Sequence, residues 1–346
     1  MSEPDSAYPL VEPSEIEVSA IESQLEEIWR SSAEAEGGNA VMRAAAFTLI
    51  YAVRGSAQDG VHRDLLVELT LRHPARAILL CLDEHSTASP IRSWVSVYCH
   101  RSSPSSSPVC NDIITLEATG LDCSAVVSTL LSLFISGLPT VLIWDNSMPS
   151  DHPILLELGP QLERVIVSAI PPCAPASKLS TLVRLTDALG EKPVVTDLCE
   201  CFVQPWQAGV ARLFDNAVSD VPLIREVRIG YGGNKIPVEL LLLAAWLSVI
   251  LKWKASRITL HGQSPNIVFD QDRTITFSGN PSDPNADQFV EFHFAGNDKV
   301  MRCEEPMGEN RVVELIHLQL QIWGRDPVRY ESLRRARLWL KELLFS

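Results

Sequence analysis

Gly230-Tyr231-Gly232-Gly233-Asn234-Lys235 is the stretch of this chain whose residue types come nearest to gripping a phosphate. It stands between a strand-like and a helix-like run, the context in which backbone amides at a helix N-terminus hold an anion. Gly230, Gly232 and Gly233 would let the backbone approach a ligand, and Lys235 would add a positive charge. The spacing fits neither well-defined phosphate motif. No later Gly-Lys-Ser/Thr follows, and the dinucleotide pattern lacks its third glycine. A tight turn with Asn234 near the helix cap accounts for the same residues. A sugar-phosphate or nucleotide site at 230–235, in an enzyme or a sensor, is the alternative reading.

Other chemistry is sparser still. Cys199-Glu200-Cys201 lacks the Cys-x-x-Cys spacing of a metal site, and no His-x-x-x-His companion follows. The eight histidines lie far apart in sequence. There is no Gly-x-Ser-x-Gly elbow to expose a nucleophilic serine. Carboxylates are too numerous to single out a pair. The expectation is a chain with no catalytic residue, no metal, no cofactor and no enzymatic turnover of its own.

What stands out instead is a set of large or stiff residues at element boundaries. Arg72-His73-Pro74-Ala75-Arg76 sets two guanidiniums around a rigid turn, and Trp144-Asp145-Asn146 falls where a sheet strand ends. Open α/β sheets bind their ligands at that edge. Gln204-Pro205-Trp206 opens a helix with an aromatic. Arg and Trp are favoured anchors at protein interfaces. Arg72, His73, Arg76, Trp144, Gln204 and Trp206 are therefore candidates for contact with a partner, against core packing as the plainer role of each Trp.

The elements that position these residues alternate over the first half. Strands are expected at 44–53, 76–82, 93–101, 110–119, 140–144 and 164–169, with helices at 59–71, 122–135 and 153–163. That pattern argues a mostly parallel sheet covered by helices, with one antiparallel hairpin around the Ser/Pro loop 102–108. A Pro-rich connector spans 170–177. In the second half, helices at 204–217, 237–252 and 312–323 accompany strands at 224–230 and 257–261. A β-meander from 267 to 303 follows. Asp326-Pro327 then caps a last helix. The expected class is α/β, with an N-terminal mostly parallel sheet followed by an α+β C-terminal domain. The expected division is 1–40, an acidic amphipathic helix and Gly37-Gly38 linker, then 41–200 and 201–346.

Charge and composition exclude some partners. Of the net charge of −14, residues 1–36 carry −9. The chain offers no broad basic face, so nucleic acid is not an expected partner. The uncharged run 123–144 is broken by Gly137-Leu138-Pro139 and peppered with serines, so no membrane span is expected. The start lacks a signal peptide's basic and apolar regions. Eight scattered cysteines in a long chain point to thiols in a reducing cytoplasm rather than to a disulfide framework. A Cys199–Cys201 bridge would close a strained ring.

Seven segments, in order, resemble one bacterial family. Arg72-His73-Pro74-Ala75-Arg76 resembles the early His-Pro-Ser/Ala-Arg signature of the OpcA family of glucose-6-phosphate dehydrogenase assembly proteins. Val109-Cys110-Asn111-Asp112 resembles its strand with a Cys before an acid, and Leu138–Trp144 its Leu-Pro-Val-x-Leu-Trp-Trp strand. Arg164–Ser168, Asp197-Leu198 with Gln204-Pro205-Trp206, Glu226–Gly233, and Gly324–Pro327 match later motifs. Ile143 replaces the first Trp of the pair, and Gln207 the usual Arg after Pro-Trp. The resemblance implies a non-catalytic partner of glucose-6-phosphate dehydrogenase in the oxidative pentose phosphate route. It also implies allosteric or assembly action by direct binding, with cysteine redox state implicated in photosynthetic members.

Overall fold

The computed structural model describes residues 8–35, 42–57, 60–83, 91–101, 108–119, 122–145, 151–168, 174–190, 192–261, 264–296, 298–304, 311–321, 324 and 326–345. It divides into two compact units. One comprises Met1–Ala169, Leu185–Thr196 and Arg311–Gln321; the other comprises Ile170–Arg184, Asp197–Asn310 and Ile322–Ser346. The two units are interleaved in sequence. Gly37-Gly38, Asn146 and most of the 102–108 loop lie outside the described residues, as do 170–173 and Arg325.

In the first unit, β1 (Tyr8–Ile16) leads to α1 (Ile21–Ala35), β2 (Met42–Arg43), β3 (Phe47–Arg54), α2 (Gly60–Arg72) and β4 (Ala75–Asp83). The hairpin β5 (Ile91–His100) and β6 (Val109–Thr119) follows, then α3 (Cys123–Ser132), β7 (Thr140–Trp144), α4 (Pro153–Leu158) and β8 (Arg164–Val167). Helix α5 (Leu179–Leu189) and β9 (Val194–Asp197) come next in the chain. The sheet order is β1-β5-β6-β4-β3-β7-β8-β9, with β2 beside β6. Strands β6, β4, β3, β7 and β8 run parallel, and β5 is antiparallel to β6, as the alternating sequence predicts. Phe47–Val53 and Ala75–Leu82 are buried throughout, which suits central strands covered on both faces. Asp122 caps α3 by accepting the Ala125 N–H at 3.1 Å. Gly137, at φ +79°, takes the left-handed turn that frees the chain to enter β7.

Two expectations give way here. The acidic segment is not a lone helix. Its first part pairs with β5 as strand β1, and α1 buries Ile21, Leu25 and Ile28 at 0–5% exposure. The eight cysteines are not all thiols, for Cys99 and Cys110 are joined as a buried disulfide. They are direct partners across β5 and β6, which brings their side chains together.

The second unit contains α6 (Gln204–Phe214), β10 (Ile224–Gly232), α7 (Val238–Ile250), β11 (Ala255–His261) and β12 (Ser264–Phe269). Strands β13 (Thr274–Asn280), β14 (Phe289–Phe294) and β15 (Val300–Cys303) follow. Helix α8 (Val312–Leu320) belongs to the first unit, and α9 (Pro327–Phe345) closes the chain. Val238–Ala245 of α7 are all buried, Glu239 among them, as suits a helix packed on nearly all sides. The late strands do not form a simple meander. The order is β11-β12-β13-β10-β14-β15, because β10 inserts between β13, to which it is parallel, and β14. In β14 Val290, Phe292 and Phe294 are buried while their neighbours are half-exposed, so this sheet has one covered face. Asp326 caps α9 through the Val328 N–H. Among the described residues, no helix is long and apolar enough to cross a membrane.

Candidate functional site

The carboxyl ends of β3 and β7 flank the point where the first unit's sheet changes direction, since β4 continues on one side of β3 and β7 returns on the other. Open α/β sheets take ligands at such a point. The Tyr51 hydroxyl at this edge donates to Asp145 Oδ2 at 3.3 Å, and the His62 ring of α2 stands edge-on to the Tyr51 ring. Burial, then the Asp145 charge, pushes the Tyr51 pKa up, so the phenol stays protonated. Trp144 faces the opposite side of the sheet, against the His152 ring that caps α4. The turn Gly55-Ser56-Ala57 completes the edge. Ser56 Oγ and the Ala57 N–H both donate to Glu117 Oε2, each at 2.7 Å. Arg92 on β5 lies 3.6 Å from the other Glu117 oxygen and pairs more closely with Glu15.

At the amino end of β4, Arg76 is buried and meets Glu22 at 2.5 Å, the Leu133 carbonyl at 3.2 Å and Asp112 of β6 at 3.4 Å. The Trp29 indole donates to Asp112 at 3.0 Å. Arg76 therefore fastens α1 to the sheet. Arg72 pairs with Glu314 of α8 at 2.8 Å, and His73 Nε2 lies 2.7 Å from His317 Nδ1. The Gln321 amide donates to His317 Nε2, so His317 carries its proton on Nδ1 and donates to His73. Burial, then His317 and Arg72, hold the His73 pKa below its ordinary value. The two arginines of this motif thus reach in different directions, one to α8 and one to α1.

In the second unit, Trp206 is 1% exposed and Gln204 half-buried. Trp144, in the first unit, is 2% exposed. Both Trp rings are core residues in this structure and present no surface to a partner. Asp197 and Glu200 form a capping box at the segment that leads to α6. Glu200 also accepts two hydrogen bonds from Arg329 of α9, at 2.5 and 2.6 Å. Burial, then Asp197 and Glu200, raise the Cys199 thiol well above its ordinary value.

The glycine-rich turn is explained by packing. A Cβ on Gly230 would lie 2.1 Å from the Phe289 ring, and one on Gly232 would lie 2.3 Å from the Pro284 carbonyl. Gly233 turns at φ +82°, and its N–H donates to the Asn280 carbonyl at 2.8 Å. The Val238 N–H at the start of α7 donates to Ala174. Lys235 is exposed. Among the described residues no group of three or more His, Cys, Asp and Glu could hold a metal ion. Sequence reasoning missed Tyr51, Glu117, His317 and Arg329, whose partners are set by tertiary folding. The one available signal was a carboxylate ending an apolar strand at Glu117.

Two family profiles match this chain. The one described as the glucose-6-phosphate dehydrogenase subunit N-terminal domain matches residues 67–184, and its C-terminal counterpart matches 193–333. A protein of Nostoc punctiforme named as an OxPP cycle protein OpcA is 29% identical over 191 residues, 54% of this chain and 40% of that protein. Its namesake in Synechococcus elongatus is 21% identical over 306 residues, 77% of this chain and 67% of that protein. Among solved structures, myo-inositol dehydrogenase from Lactobacillus casei is 10% identical, with 84% of this chain and 91% of that one covered, at TM-score 0.45. A dehydrogenase from Chromobacterium violaceum is 12% identical, with 86% and 94% covered, at 0.42. Scores below 0.5 leave these two without bearing on activity.

Proposed function

The chain belongs to the OpcA family of glucose-6-phosphate dehydrogenase assembly proteins, and we propose that it acts as a non-catalytic partner of that dehydrogenase. It binds the enzyme directly and changes its assembly state or substrate response, in the cytoplasm. The observation that carries this reading is the pair of family matches, which together run through both structural units. The site geometry agrees. At the sheet edge the carboxylates Glu117 and Asp145 are already bonded to Ser56, Ala57 and Tyr51. The 230–235 turn spends the Gly233 N–H on Asn280, which weighs against the alternative of a sugar-phosphate or nucleotide sensor.

A regulator shifts an enzyme only by binding its states with different affinity. Arg72, His73 and Arg76 pack against α8 and α1, so in this reading their contribution is to hold those helices in place. Gel filtration of the chain with glucose-6-phosphate dehydrogenase of the same organism should give co-elution. Its rate at sub-saturating glucose 6-phosphate should change. Separate elution with unchanged kinetics, in oxidising and in reducing buffer, would overturn the proposal.

A further inference from the structure

The turn after β3 is bonded to a carboxylate from another strand. Gly55, at φ +128°, bends the chain out of the strand, and α2 begins at Gly60. A strand, a glycine turn and a helix at a sheet's switch point is where backbone N–H groups usually meet a ligand's phosphate. Here the Ala57 N–H and the Ser56 hydroxyl converge on a single oxygen, Glu117 Oε2, both at 2.7 Å. Two donors on one oxygen is how a phosphate oxygen is held.

The carboxylate comes from another strand. Glu117 lies on β6, two strands from β3, with Cys81 of β4 between it and Val53 in the register. The residue is 7% exposed, so its charge is held largely away from solvent. Arg92, its register partner on β5, stands near the second oxygen and leaves Oε2 to the turn. A phosphate entering this turn would have to displace a buried carboxylate or share the space with a like charge, and both are unfavourable.

We infer that Glu117 occupies the anion position of the Gly55–Ala57 turn from within the chain, and that this carboxylate closes the sheet edge to phosphate-bearing ligands. The site is a filled anion receptor rather than a missing one. The inference stands on the first unit alone and does not rest on the dehydrogenase reading.

The test uses the full chain and inorganic phosphate, followed by calorimetric titration and by the backbone amide signals of Ser56 and Ala57. Wild type should show no saturable phosphate binding and no movement of those two signals. Glu117→Ala should bind phosphate saturably and shift both signals. Glu117→Gln keeps an acceptor for the turn and should fold as wild type does. It should bind phosphate more weakly than Glu117→Ala but detectably. Wild-type binding that moves the Ala57 signal would overturn the inference. So would folded variants in which phosphate binds nowhere or leaves both signals still. If Glu117→Ala does not fold, Glu117→Gln decides the matter by the same readings.

Discussion

The turn after β3 and the turn after β10 share one local plan, a strand, a tight turn and a helix, yet they differ in glycine content and in what their donors hold. The second follows Gly230 and Gly232, which end β10, and carries Gly233 and Lys235; each glycine has a packing or backbone reason: Phe289, Pro284, or a left-handed φ. The first carries one glycine before a serine and an alanine, and its donors converge on a carboxylate. Glycines show where backbone comes close to something, which is as readily a neighbouring ring as a ligand. What decides whether a turn can receive an anion is where its N–H groups already point.

That contrast can be broken or sharpened by substitution. The largest effects are expected at the two buried tryptophans, one in each unit. Trp144→Ala and Trp206→Ala should each cost about 3–5 kcal/mol in denaturant unfolding, as core truncations do. A cost near zero with loss of dehydrogenase binding would return them to the interface. Next comes Gly230→Ala, whose new methyl meets the Phe289 ring and should cost about 1–3 kcal/mol. Lys235→Ala should leave stability within about 0.5 kcal/mol of wild type, because the side chain is exposed. If 230–235 is instead a ligand site, Lys235→Ala would abolish a phosphate-dependent thermal shift that wild type shows.

A smaller effect concerns acid. His73 and His100 both have pKa values held below the ordinary 6.5, burial being the first cause in each case. The folded state then binds fewer protons than the unfolded one. Their contribution is whole above pH 6.5 and is lost as pH falls through the folded values. The melting temperature should therefore drop from pH 7.5 to 5, and drop less in His73→Gln. Equal drops in both proteins would remove the His73–His317 pair as a source of acid sensitivity.

Much of the fold was legible because it is written in short-range pattern. Strand β7 was expected at Thr140–Trp144 and stands there, bounded by Gly137 and Pro139. The β5–β6 hairpin followed from two apolar runs around a Ser/Pro loop, and α7 from its long apolar run Leu240–Leu247. Strand β1 was not legible, because Pro9 and Pro13 demote it and only its pairing with β5 gives it a partner. The insertion of β10 between β13 and β14 is a long-range choice without a local signature. The same holds for the His73–His317 pair and for Glu117's reach to Ala57. The Cys99–Cys110 bridge was within reach, since the expected hairpin sets those residues opposite each other. Reasoning from compartment overrode that geometry. The candidate site was less legible than the fold: Trp144 and Trp206 were candidates for contact beside core packing as their plainer role, and the structure buries both.

The central claim is that this chain works by binding glucose-6-phosphate dehydrogenase rather than by turning over a substrate. The most direct measurement is a titration of the purified dehydrogenase with increasing amounts of the full chain. The initial rate is followed at sub-saturating glucose 6-phosphate, with the chain alone as control. The account predicts a change in rate that saturates at a fixed stoichiometry, with no cofactor reduction by the chain itself. A flat titration, or sustained reduction by the chain alone after removal of contaminating dehydrogenase, would contradict it.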